Sequence, residues 1–367
     1  MYDIPLTRPY MDEKIKRKVC EVLDSGYLTE GPVTRRLEEQ FREYIGCKHA
    51  IAATSCTTGL EMALRALEIG PGDEVVVPDY TYPATADVAA IVGADIVLVD
   101  TSTDTMLIDY DALESAITEK TGAVIPVSQF GNPLDYGRLN SIREKYGVYI
   151  VEDAACAIGA EFNGRKVGSF ADISVFSMHP RKFVTTGEGG MVTTDNPGWA
   201  DWMRSYKHFG MDSPDDRKDI HFAGIGTNYK LSDIQAAVGA GQMEMVDTLL
   251  ARRRELSDNY IRMLSGVDGV IVPSTTEGGV HSRQSFVICV DRRDEIMEKM
   301  RNSGIEVQIG TFALHRHGAF SDGDGCRVAG RLDRSDYAFD HCLALPLFHD
   351  MEQSQQETVV SGLTGLL

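Results

Sequence analysis

The chain has 367 residues, with 36 Lys and Arg against 55 Asp and Glu, giving a formal net charge of −19. It is 43% hydrophobic and 25% charged, an ordinary soluble composition, long enough for about two domains and for a core that needs no disulfide or metal staple. Such acidity disfavours nucleic acid and anionic lipid as partners, so any phosphate-bearing ligand must be held by local geometry.

The N-terminus, MYDIPLTRPYMDEKIKRK, lacks the apolar stretch of a signal peptide. No uncharged apolar run reaches the roughly 18 residues of a membrane span. From about Ala50 to Thr194, short β-branched runs alternate with helical ones. Glu74–Pro78, Asp95–Asp100, Gly122–Val127, Val148–Asp153 and Asp172–Phe176 read as strands buried on both faces. The helical stretches are TTGLEMALRALEI, YDALESAIT and YGRLNSIREKY. This alternation predicts an α/β unit with a mostly parallel sheet, assigned to residues 1–245. The charged run SPDDRKD reads as a solvated loop. EMVDTLLARRRELSDNYIRML predicts a long helix, followed by a strand (SFVICV), a helix (DEIMEKMRNSG), an extended stretch (IEVQIG) and a C-terminal helix. Residues 246–367 are therefore expected to form a small α+β domain. The seven cysteines are scattered with no CxxC, which predicts free thiols and a cytoplasmic location.

Four stretches can carry chemistry. In ATSCTTGLEMAL, small hydroxyl residues follow a strand and open a helix. The N–H groups there, with the Thr57 and Thr58 hydroxyls, can hold a phosphate or form a plain cap. In VEDAACAIGA, Asp153 closes a parallel strand, the end where such folds place ligands; it can pair with a cationic ring nitrogen or cap a turn. In DISVFSMHPRKFVTTGEGGMV, a strand ends at Ser177 and Lys182 lies near a glycine-rich turn. Desolvation there would lower its pKa and make the amine nucleophilic; a surface lysine is the other reading. The turn is neither a Walker loop nor a dinucleotide fingerprint. In GTNYKLSDIQAAVG, Asn228 precedes a helix start. A lysine for an aldehyde, a carboxylate for a pyridinium nitrogen and a helix end for a phosphate are together what pyridoxal phosphate requires. HRH (His315–His317) and SDGDG (Ser321–Gly325) lack full ligand patterns, so no metal is expected.

Over nearly its whole length the chain resembles the DegT/StrS nucleotide-sugar aminotransferases, fold-type I pyridoxal-phosphate enzymes. The likeness runs from IPLTRPYMDE through SGYLTEGP, GCKHAIAATSCTTGLEMAL and GPGDEVVVPDYTYPATADV, is most specific in FSMHPRKFVTTGEGG, and weakens after about Val270 before ALHRHGAF and LALPLFHDM. It implies a large α/β domain with a mostly parallel sheet plus a small C-terminal α+β domain. It implies that Lys182 forms the internal aldimine and moves the proton, and that Asp153 keeps the pyridine nitrogen protonated. Thr57, Thr58 and Ser177 would face the phosphate, Tyr82 would stack on the ring, and His179 would lie on the substrate side. Asn228 would reach the phosphate of a neighbouring subunit in a homodimer, and His315 would face the sugar. Two positions depart from the family. Cys156 stands where a Gln often contacts the cofactor's phenolic oxygen, and a thiol is a weaker partner. Ser128 stands where a His is common. The expected reaction moves an amino group from L-glutamate to a keto-sugar nucleotide, an NDP-4-keto-6-deoxyhexose, through pyridoxamine 5′-phosphate. The alternatives are an inosose (cyclitol) acceptor, a sugar dehydratase, against which the presence of Lys182 argues, and a non-catalytic regulator.

Overall fold

The computed structural model describes residues 2–212 and 220–367. The run SPDDRKD, 213–219, lies outside the described residues. Eight strands make the central sheet: β1 His49–Ala53, β2 Glu74–Pro78, β3 Asp95–Val99, β4 Thr121–Val124, β5 Tyr149–Asp153, β6 Ile173–Ser177, β7 Gly190–Thr194 and β8 Cys326–Val328. Their spatial order is β1-β7-β6-β5-β4-β2-β3-β8. Only β7 runs against its neighbours; the other adjacent pairs are parallel. This is the large, mostly parallel sheet flanked by helices that the sequence predicts.

The strands form because both faces are covered. Val75, Val76 and Val77 are completely buried. Val76 packs into one apolar layer and its two neighbours into the other, since successive strand residues point to opposite faces. Full burial of each such side chain is worth about 1.5–3 kcal/mol.

Four N-terminal helices flank this unit: α1 Glu13–Ser25, α2 Pro32–Ile45, α3 Cys56–Ala66 and α4 Ala84–Val92. At α2 the residue before Pro32 is Gly31, which has no side chain to cap the helix. The cap comes from Asp233, more than two hundred residues away in sequence. Its Oδ1 accepts the Gly31 and Thr34 N–H groups, each at 2.9 Å, and its Oδ2 accepts Val33 N–H at 3.1 Å. Unsatisfied N–H groups at a helix start need such partners.

The predicted long helix spans Val246–Leu264. Beyond it, a four-stranded antiparallel sheet is ordered Val270–Ile271, Phe286–Val290, Cys342–Leu345, Gln308–Ile309. This small unit has its own apolar cluster, including Tyr260, Phe286 and Phe348. The segment after residue 246 also returns to the large unit three times. β8 extends the central sheet, Phe312–Ala313 pairs with Tyr80–Thr81, and Gly279–Val280 pairs with Glu161–Phe162. No helix among the described residues is long and apolar enough to cross a membrane.

Candidate active site

Three strand ends meet where a phosphate was expected. Gly190, the first residue of β7, is in register with Ala53 of β1 on one side and Ser177 of β6 on the other. A Cβ at Gly190 would come within 2.4 Å of the Ser55 carbonyl oxygen and 2.8 Å of Cys56 N. The missing side chain lets β7 close against the start of α3. Ser55 caps α3 by accepting Thr58 N–H at 3.1 Å, and Thr58 Oγ1 accepts Ser55 N–H at 3.0 Å. The Thr58 hydroxyl also donates to the Ser55 carbonyl at 3.0 Å. The structure therefore gives Thr58 a capping role. The groups left open at this helix end are the N–H groups of Cys56 and Thr57 and the Thr57 hydroxyl, a set suited to an anion. Ser177 Oγ accepts His179 N–H at 3.4 Å.

Asp153 closes β5 and is 5% exposed. Its Oδ1 accepts Ala155 N–H at 3.0 Å and its Oδ2 accepts the Thr85 hydroxyl at 2.8 Å. Thr85 Oγ1 lies 3.0 Å from Thr81 Oγ1. A hydroxyl has one proton, and Thr85 gives its proton to Asp153. The chain of donation therefore runs from Thr81 to Thr85 to Asp153. Burial raises the Asp153 carboxyl above the usual range, opposed by the Ala155 and Thr85 bonds and by the charge of Lys182. Sequence reading missed Thr85. It lies three residues after Tyr82, inside TYPATADV, at the start of α4.

Lys182 sits in the loop after β6, with its Nζ 3.0 Å from Cys156 Sγ. Burial pulls the amine's pKa down. Contact with Cys156, together with Asp153 and Cys56, pushes it up by more, and the net direction is upward. This corrects the expectation of a lowered value, which counted desolvation and omitted the partners. Burial holds the Cys56 thiol well above its ordinary range.

The Ser128 departure is absorbed locally. Ser128 is completely buried and donates to Glu152 Oε1 at 2.6 Å. Tyr136 donates to the same oxygen at 2.6 Å and Ser174 to Oε2 at 2.9 Å. Burial raises the Glu152 carboxyl, opposed by these three hydroxyls.

The remaining predicted residues lie further out. The His179 ring accepts Arg181 N–H at Nδ1, 3.2 Å, and burial lowers its pKa. Tyr82 is 65% exposed, its ring 6.2 Å from that of Phe312. Asn228 is exposed and bridges to His208. His315 contacts two acids. Its backbone N–H and ring Nδ1 each contact the Asp79 carboxylate at 2.8 Å, and its Nε2 lies 3.3 Å from Asp336. Both ring nitrogens are thus engaged by the chain itself. Among the described residues no group of three or more His, Cys, Asp and Glu side chains is placed to hold a metal ion.

A half-buried amine and a buried carboxylate, with open N–H groups at a helix start narrowed by a glycine, are a donor set that fits pyridoxal phosphate. Comparison with known proteins agrees. The model of the DegT/DnrJ/EryC1/StrS aminotransferase family matches residues 9–364. A Streptococcus pneumoniae protein described as a sugar aminotransferase, solved in a pyridoxamine-phosphate form, is 29% identical with a TM-score of 0.92, over 99% of this chain and 98% of that one. S. venezuelae DesV, solved with a ketimine intermediate, is 30% identical with a TM-score of 0.91, over 100% and 98%. Helicobacter pylori PseC, an aminotransferase involved in the biosynthesis of pseudoaminic acid, is 25% identical with a TM-score of 0.92, over 99% and 98%.

Proposed function

Because this chain belongs to the DegT/DnrJ/EryC1/StrS aminotransferase family, we propose that it moves an amino group from L-glutamate to a keto-sugar nucleotide, an NDP-4-keto-6-deoxyhexose, using pyridoxal phosphate. The observation that carries this reading is that Lys182, in the loop after one parallel strand, and buried Asp153, at the end of the neighbouring one, are close enough to act on each other's charge. Bound there, the cofactor supplies an aldehyde that takes up the amino group and a ring that withdraws electrons.

The chain's own groups divide the remaining work. Lys182 would hold the aldehyde carbon and, once displaced by the substrate's amine as a neutral amine, would take and return the substrate's α-proton at Nζ. Asp153, oriented by Ala155 N–H and the Thr85 hydroxyl, would keep a proton on the ring nitrogen. The open N–H groups at the start of α3, with Thr57 and Ser177, anchor the phosphate. Tyr82 would cover the ring, Cys156 lies beside the lysine, and His179 would line the acceptor side.

The protein works as a homodimer in the cytoplasm. In support, Asn228 is exposed beside a surface carrying Phe222 (56% exposed) and Ile225 (97% exposed), which a second copy would cover. All seven cysteines are free, as a reducing compartment would keep them.

The test is spectroscopic. Loaded with pyridoxal phosphate, the protein should lose its visible absorption on addition of L-glutamate, releasing 2-oxoglutarate as the pyridoxamine form accumulates. One member of a panel of keto-sugar nucleotides should then restore the band. A visible band indifferent to L-glutamate would rule out that donor, and restoration by inososes alone would rule out the nucleotide acceptor.

A further inference from the structure

Lys182 is gripped from behind by residues that none of the sequence motifs contains. Gln284 precedes the strand Phe286–Val290 and is 7% exposed. Its Oε1 accepts Phe183 N–H at 2.7 Å, and its Nε2 donates to the Arg181 carbonyl at 2.7 Å. These two bonds hold the residue before Lys182 and the residue after it. A backbone N–H can only donate and a carbonyl can only accept, so the amide has one permitted orientation.

The clamp is itself anchored. The Gln284 carbonyl accepts Arg253 Nη1 at 2.6 Å. Arg253, on the helix Val246–Leu264, is 1% exposed and has no carboxylate partner among the described residues. Its guanidinium lies over the Phe183 ring, 5.2 Å from the centroid. Burying a cation without a counter-charge is costly. Here the cation is spent on the backbone of Gln284 and on the ring that follows Lys182. Two residues earlier, Ser282 Oγ lies 3.2 Å from the Cys156 carbonyl oxygen. One short segment of the C-terminal unit therefore steadies both partners of the Lys182–Cys156 contact.

We propose that Gln284, anchored by Arg253, is the positioning residue that fixes the direction of the Lys182 amine for transamination. The proposal rests on the reading that Lys182 is the residue that binds the cofactor.

Two variants of the full-length protein, each reconstituted with pyridoxal phosphate, test it: Gln284→Leu, which keeps volume but has no polar atom, and Gln284→Glu, which keeps shape. Four things are measured: the rate and KM of the L-glutamate half-reaction, the pH titration of the visible band of lysine-bound cofactor, the site labelled after borohydride reduction, and Tm. In Gln284→Leu the rate should fall on the order of 10- to 100-fold, as misplacing a reacting group does. KM should stay within about twofold, and the band's titration should shift. In Gln284→Glu the deficit should shrink as pH falls, because a protonated carboxyl can again donate to Arg181 while accepting from Phe183. A folded Gln284→Leu with wild-type rate and titration overturns the clamp. If that variant does not fold, a Gln284→Glu to wild-type rate ratio independent of pH overturns it. A wild type unlabelled at Lys182 overturns the underlying reading and the clamp together, whereas a labelled wild type with unaffected variants removes the clamp alone.

Discussion

Asp153 and Asp79 are two buried acids at the same edge of the central sheet, one closing β5 and the other following β2. Both are raised by burial. They differ in what answers them. The two oxygens of Asp79 face the backbone N–H and ring of His315, whose far nitrogen lies against Asp336. Asp153 is held only by neutral donors, Ala155 N–H and the Thr85 hydroxyl. A carboxylate has about four lone-pair sites, so Asp153 keeps capacity for a cation, with the Lys182 charge already drawing on it. The lesson is that burial alone does not distinguish a structural acid from a chemical one; the bonding capacity its partners leave open does.

Breaking the chemical side should have the largest effect. Lys182→Ala should lower turnover at least as far as the loss of a positioned acid-base group, about 10²–10⁴-fold, while still binding pyridoxal phosphate non-covalently. Steady-state rates and dialysis resistance measure this, and near-normal turnover would sink the assignment. On the structural side, His315→Ala removes the ring from Asp79 Oδ2 and leaves the backbone N–H on Oδ1. Chemical denaturation should show a loss of about 1–3 kcal/mol with little change in kcat. Unchanged stability with a raised acceptor KM would instead place the imidazole on the sugar. Thr85→Val removes one donor from Asp153. The expected cost is about 0.5–1.5 kcal/mol of stabilisation of the charged carboxylate, read as a several-fold fall in the glutamate half-reaction that Thr85→Ser restores.

The smallest effect concerns Glu152, which burial holds above the usual carboxylate range. The folded state then favours the protonated form. That contribution is full below the unfolded value of about 4.3 and is lost as pH rises through the folded value. Glu152→Gln should flatten stability against pH in that window, measured by denaturation at a series of pH values. A slope as steep as the wild type's would assign the pH dependence to Asp79 and Asp153 instead.

Much of the frame was legible from local pattern. Glu74–Pro78 is a strand and Tyr136–Tyr146 a helix with the predicted bounds. The strand expected over Gly122–Val127 stops at Val124, two residues before Pro126, which has no N–H for a ladder. Lys182 and Asp153 stand out as candidates in the sequence because their motifs are local. Gln284 was not, because its clamp joins residues 101 and 103 apart in sequence. Thr85 escaped notice because a threonine early in a helix looks like any other cap. The upward shift of Lys182 was illegible for the same reason as the clamp: its partners Cys156, Asp153 and Cys56 come from three other segments.

The cap on α2 has a consequence in time. Gly31 and Asp233 are 202 residues apart. A ribosome adding about 5–20 residues per second needs on the order of 10–40 s to pass from one to the other. Throughout that interval the N–H groups of residues 31, 33 and 34 have only water to bond. β1 waits about two-thirds as long for β7, its neighbour in the sheet. These segments therefore go without their long-range partners for on the order of 10–40 s, and they join the fold late although they are made before Asp233 and β7.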